Sequence, residues 1–177
     1  MSVTTEVILD PEKEYEIVAG LPEEKNMGGA RHGGVGTRLI IRLGNFVETN
    51  RLGGVYGPDT TFQVGDNERI PDVSFVSASR IPPEGEPEGK WPIAPDLAVE
   101  IISPDDLYEK VYGNTLEYFA SGVQQVWLIS PEHKTVTIYR SPSDTAILLE
   151  GDEIVGDDLL PGFKCPVHDL FQQPPHK

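Results

Sequence analysis

The sequence predicts a mixed α/β fold, and three observations carry that expectation. Val35, Leu39, Leu43, Phe46 and Val47 recur at helical spacing, which predicts an amphipathic helix of about four turns over 35–50. Leu97, Ala98, Val99, Ile101 and Ile102 form a near-continuous apolar run, the pattern of a strand covered on both faces. That run passes straight into Ser103-Pro104-Asp105-Asp106, a cap signal with acid where a helix dipole favours it, so a second helix is expected to about Ser121, closed by Gly122. Gln125 to Ile129, QVWLI, then reads as another buried strand.

The remaining elements follow in order. Tyr15 to Val18 reads as a short strand, and 19–34 as a loop rich in glycine and charge. Its glycines Gly28, Gly29, Gly33 and Gly34 lack the lysine and the serine or threonine of a nucleotide cradle and read as turn residues. Residues 53–64, around Gly57-Pro58-Asp59, suggest a hairpin or bent strand. After the polar turn 65–68 comes a strand over 70–76, IPDVSFV, with Asp72 near its start. Residues 79–92 form a charged loop rich in proline and glycine. Thr135 to Arg140 alternates as a half-exposed hairpin partner does, 146–149 adds a further strand, and 159–171 reads as an irregular closing segment.

The chain of 177 residues suits one domain, 1–177, with a single core. No apolar run reaches the roughly 18 residues needed to span a bilayer, and the first sixteen residues lack the pattern of a signal peptide, so the expectation is a cytoplasmic protein with no membrane partner. The single cysteine, Cys165, excludes an intramolecular disulfide and a cysteine-based metal cluster. A net charge of −15, from 14 basic and 29 acidic residues, argues against general nucleic-acid binding, because such a surface repels phosphate. One basic island stands out: Arg31, Arg38, Arg42 and Arg51, with His32, against the single acid Glu48. Arg38 and Arg42, four apart, share a helix face; a solvated face is the plain reading and a phosphate contact the sharper one.

The chemistry centres on Glu100. An ionised carboxylate without a partner in a central strand costs several kcal/mol, so its presence among apolar neighbours demands a cation, a metal or a set of hydrogen bonds. Asp72 stands near the start of the preceding strand. Two carboxylates on neighbouring strands can share a hard divalent cation such as magnesium, which prefers oxygen ligands, keeps several waters, and can activate one of them against a phosphodiester. Alone, Asp72 after Pro71 would be an ordinary turn former; beside Glu100 it becomes a candidate ligand.

The order helix, three strands, helix, strand, with Pro71-Asp72 on the second strand and Glu100 on the third, resembles the PD-(D/E)XK nuclease superfamily, and within it the Uma family of restriction-endonuclease-like proteins. The matching pieces are YEIVAG at 15–20, RHG at 31–33, PDVSFV at 71–76, PDLAVEIISP at 95–104, GVQQVWLISP at 122–131 and LPGF at 160–163. The resemblance implies a restriction-endonuclease-like core, a mixed central sheet flanked by two helices, with an added C-terminal β-hairpin. It implies that Asp72 and Glu100 bind Mg2+ or Mn2+ and that Glu16 and His32 are accessory. The lysine that the superfamily places two residues after the strand carboxylate is Ile102 here, and the position from which the Uma pattern supplies lysine falls on Asn114. Lys110 lies one turn before Asn114 on the same face and is the candidate catalytic cation; its plain reading is a surface ion pair with Glu109 or Asp106.

The expected function is therefore a metal-dependent hydrolase, an endonuclease that cuts DNA, with Arg31, Arg38 and Arg42 meeting phosphates. By analogy with nucleases of this fold that cut two strands, it would act as a homodimer. The alternative, favoured by the missing lysine and the acidic surface, is a binding or assembly module that keeps the fold and has lost hydrolysis. A third reading is a hydrolase of some other phosphate ester.

Overall fold

The computed structural model describes residues 9–25 and 28–175. A six-stranded sheet organises them. It is built from β3 (Gly53–Tyr56), β6 (Val73–Ser77), β7 (Leu97–Ile101), β8 (Gln125–Ser130), β9 (Thr135–Ser141) and β10 (Asp144–Leu148). The strand order is β10-β9-β8-β7-β6-β3, antiparallel except for the central pair β7 and β8, which is parallel. A parallel pair needs a crossover, and α2 (Tyr108–Ala120) supplies it. The β9–β10 hairpin extends one edge of this sheet, as expected of the C-terminal addition.

Alternation along β7 separates two cores. Leu97, Val99 and Ile101 face α1 (Ala30–Thr49), whose Val35, Leu39, Leu43 and Val47 form a single stripe at four-residue spacing and are 0–1% exposed. Trp127 and Ile129 of β8 join them, and so do Leu160, Phe163, Leu170 and Phe171. Ala98 faces the opposite way, toward α2, with Val76, Tyr118, Val126 and Leu128. The even-numbered positions of β7 therefore face α2, and Glu100 is one of them. Gly36 permits the close approach of α1 to the sheet: a Cβ there would stand 3.1 Å from Ile101 Cδ1.

A second sheet, order β2-β1-β5-β4, packs beside α2. It comprises β1 (Tyr15–Val18), β2 (Leu21–Glu24), β4 (Phe62–Val64) and β5 (Asn67–Arg69). Here the structure departs from the sequence reading. The stretch 53–64 divides between two sheets, β3 at the edge of the large one and β4 in the small one. Asn67 and Glu68 belong to β5, leaving Gly65 and Asp66 as the tight turn, with Gly65 at φ +59°. The expected loop over 19–34 holds β2 and the first turn of α1, which starts five residues earlier than the apolar spacing indicates; its residues 26 and 27 lie outside the described residues. The closing segment 159–171 contains β12 (Lys164–Pro166), paired with β11 (Glu153–Val155), and the single-turn α3 (Val167–Phe171).

Helix α2 also begins later than its cap signal suggests, at Tyr108 rather than beside Pro104. The Asp106 carboxylate accepts from the Ser103 N–H at 2.7 Å, and the Asp106 N–H donates to the Ser103 carbonyl at 3.0 Å. This local turn competes with helical bonding and holds 103–106 as a separate bend.

Candidate active site

Strand register builds the site. Val73 pairs with Val99 and Ser74 with Ala98 in the antiparallel β6–β7 ladder, so one further step sets Asp72 opposite Glu100. Directly opposed residues bring their Cβ atoms to about 5 Å. The ladder stops there because the Asp72 carboxylate replaces a backbone acceptor: its Oδ2 takes the Ile101 N–H at 2.7 Å. Asp72 is thereby fixed at the strand end, 6% exposed.

Lys25 and His32 meet it. Lys25, just past β2, places Nζ 3.1 Å from Asp72 Oδ1, and its side chain is only 13% exposed. The same ammonium donates to the Ile70 carbonyl. His32, in the first turn of α1, places Nε2 3.2 Å from Asp72 Oδ2. Gly28 makes that histidine position available, since a Cβ at residue 28 would overlap the ring. Burial alone would raise the Asp72 carboxyl, but the His32 hydrogen bond, the Lys25 charge and the Ile101 N–H outweigh it and hold Asp72 below the ordinary carboxylate range. In return, the Asp72 hydrogen bond raises His32 above its usual value. Burial would lower Lys25, and the charges of Glu100 and Asp72 reverse that and keep it protonated.

Glu100 is treated differently by its surroundings. Its Oε1 accepts from the Tyr118 hydroxyl at 2.6 Å, a bond made possible because α2 lies over the even-numbered face of β7. Burial and the neighbouring Asp72 charge push the Glu100 carboxyl up to about 8, and Lys25 and Tyr118 only partly offset them. The Tyr118 phenol is itself held well above its ordinary value by burial and by Glu100. Two opposed carboxyls with different acidities thus share one space.

That space is a cleft of about 120 Å³, lined by Glu16, Glu24, Lys25, Asp72, Glu100, Asp106 and Lys110, with Ile101, Ile102, Leu107, Val111 and Asn114. At about 10–15 Å³ for each water centre it has room for an ion and several waters. Among the described residues no three His, Cys, Asp or Glu side chains converge on a common point. The donor set still suits magnesium, which is commonly held by one or two carboxylates with water and phosphate oxygens completing its shell. Asp72 and Glu100, opposed across neighbouring strands and lining one cleft, are oxygen donors of that kind.

The other sequence candidates are distributed unevenly. Glu16 lines the cleft but is fully engaged: Oε1 accepts from the Ile70 N–H at 2.9 Å and Oε2 from Arg69 at 2.9 Å. Arg69, 4% exposed, also bonds Glu117 of α2, forming a buried ionic layer behind the cleft. Lys110 stands at the outer lip, where Nζ pairs with Glu23 of β2 at 2.9 Å and the side chain is 53% exposed. The three arginines lie outside this cleft. Arg31 and Arg38 line a separate depression with Phe171 and Pro174; Arg38 donates to the Leu170 carbonyl and Arg42 pairs with Asp169, so both tie α1 to α3. Arg31 is 54% exposed and lies 3.6 Å from Glu132. Sequence reasoning missed Lys25 and Tyr118 as site residues. Lys25 stands in a charged stretch, and Tyr118 has the spacing of a packing residue; only the helix placed over Glu100 distinguishes it.

Comparison with known proteins bears on the family and the fold. A family model described as "Uma2: Putative restriction endonuclease" matches residues 5–168. Among solved structures, one titled a "putative nuclease belonging to DUF820" from Anabaena variabilis ATCC 29413 superposes with a TM-score of 0.82 at 28% identity, over 93% of each chain. No curated protein matches the chain. The family match spans nearly the whole sequence and includes both opposed carboxylates and the helix that covers them, so the chain belongs to the Uma2 family and has a restriction-endonuclease-like fold.

Proposed function

We propose that the protein is a magnesium-dependent endonuclease that hydrolyses phosphodiester bonds in DNA, with Asp72 and Glu100 holding the cation. The observation that carries the reading is the direct opposition of these two carboxylates in the β6–β7 register, both lining one cleft. A magnesium or manganese ion bound there supplies a polarised water and neutralises charge on a phosphate. The chain's own groups prepare the place. His32 and the Ile101 N–H lock Asp72 in orientation, and the Tyr118 hydroxyl aims Glu100. Arg69 keeps Glu16 turned to the back wall, and Ile102, Leu107 and Val111 form an apolar side. Of the arginines, Arg31 has the exposure that a phosphate contact needs.

The test is conversion of supercoiled plasmid to nicked and linear forms in Mg2+ or Mn2+. The wild-type protein is expected to cut, and Glu100→Ala to lose about 100-fold or more. A second reading, a module that binds metal or nucleic acid without hydrolysis, is favoured by the engagement of Lys110 with Glu23 and by neutral side chains at Ile102 and Asn114. Metal binding without cutting would decide for it.

A further inference from the structure

Resting on the nuclease reading, we propose that Lys25 is the catalytic cation of this cleft, taking the part for which Lys110 is the sequence candidate. Lysines are seldom buried. This one is 13% exposed, reaches Asp72 Oδ1 at 3.1 Å and lines the cleft together with Glu100. An ammonium has three donors, and among the described residues its partners, Asp72 and the Ile70 carbonyl, take two. A third donor is left that an oxygen in the cleft can take. Lys110, by contrast, is a half-exposed partner of Glu23, the kind of pair that contributes little.

Lys25 reaches the carboxylate pair from a different element than Lys110 does. It leaves the end of β2, whereas Lys110 and Asn114 approach from α2. In hydrolysis the oxygen of water bonds to phosphorus as the bond to the ester oxygen breaks; the water's proton passes to solvent, and the leaving oxygen is protonated from solvent. Lys25 remains an ammonium throughout and acts by opposing the negative charge that develops on the phosphoryl oxygens and the attacking water.

The experiment compares wild type with Lys25→Gln, which keeps a hydrogen-bond donor and removes the charge, and with the double variant Lys25→Gln, Asn114→Lys. Plasmid cutting, calorimetric Mn2+ affinity and melting temperature are read for each. Lys25→Gln is expected to cut about 100-fold more slowly while its Mn2+ affinity stays at or above wild type, since a competing cation beside Asp72 is gone. Partial recovery in the double variant ties the loss to positive charge in the cleft. Cutting by Lys25→Gln at the wild-type rate overturns the assignment and leaves the nuclease reading standing. A loss matched by equal loss of Mn2+ affinity also overturns it, making Lys25 a structural partner of Asp72. If wild type itself does not cut, the nuclease reading fails and this assignment fails with it.

Discussion

Glu100 shows how a single residue registers its surroundings. Its folded carboxyl is pushed up to about 8 from an ordinary 4.5, so the folded state holds that proton more tightly than the unfolded state does. Stability from this group is therefore full below the unfolded value and falls as pH climbs through the window to about 8. In metal-free buffer Glu100→Gln is expected to melt above wild type at about pH 9 and level with it near pH 4.5, each kcal/mol being about 2–4 °C at this size. A variant that melts at or below wild type at the higher pH would show that the carboxylate is already compensated. Arg69 makes the opposite case. Between Glu16 and Glu117, with 5% of its side chain exposed, it neutralises two partly buried carboxylates, so Arg69→Met is expected to cost about 3–5 kcal/mol in urea unfolding. Lys110→Ala, which removes a half-exposed partner, is expected to cost no more than about 1 kcal/mol by the same measurement.

At the scale of elements, α1 decides where His32 stands and α2 decides what Glu100 meets. Two glycines of α1 separate packing from propensity. Gly36→Val drives a side chain into Ile101 and is expected to destabilise by about 1–3 kcal/mol, whereas Gly44→Ala, with open space around its Cβ, is expected to stabilise by up to about 1 kcal/mol. Thermal melts of both variants check the pair. The same elements explain what could be read from the sequence. The stripe on α1 and the apolar run of β7 depend on local periodicity, and with them came Glu100 as an interruption and Asp72 one strand earlier. Strand β2 gave no such signal: Leu21–Glu24 is a short, polar edge strand whose identity comes from pairing with β1. Without it, Lys25 had no address, and Glu23 could not be foreseen as the partner that draws Lys110 to the lip. Likewise the bend at 103–106 arises from one side chain bonding back to the backbone, a choice that a cap motif does not distinguish from a helix start.

For the whole molecule, charge is the dominant fact. A net −15 and a cleft whose acids outnumber its lysines repel a phosphate backbone, so DNA should approach only once a divalent cation has entered. Fluorescence anisotropy with a short duplex is expected to show little binding in EDTA and at least roughly tenfold tighter binding in Ca2+, weakening as salt rises. Equal affinity in both buffers would place the DNA surface away from the cleft. No helix among the described residues is long and apolar enough to cross a membrane. At the candidate site the residue preceding β6, β7, the end of β2 and both long helices each contribute a side chain.

The most direct test of the account is a calorimetric titration of Mn2+ into wild type, Asp72→Asn and Glu100→Gln. The opposed carboxylates predict one binding event per chain in wild type and its loss, or a weakening of at least about tenfold, in each variant. Unchanged Mn2+ binding in both variants would contradict the site on which the nuclease reading rests.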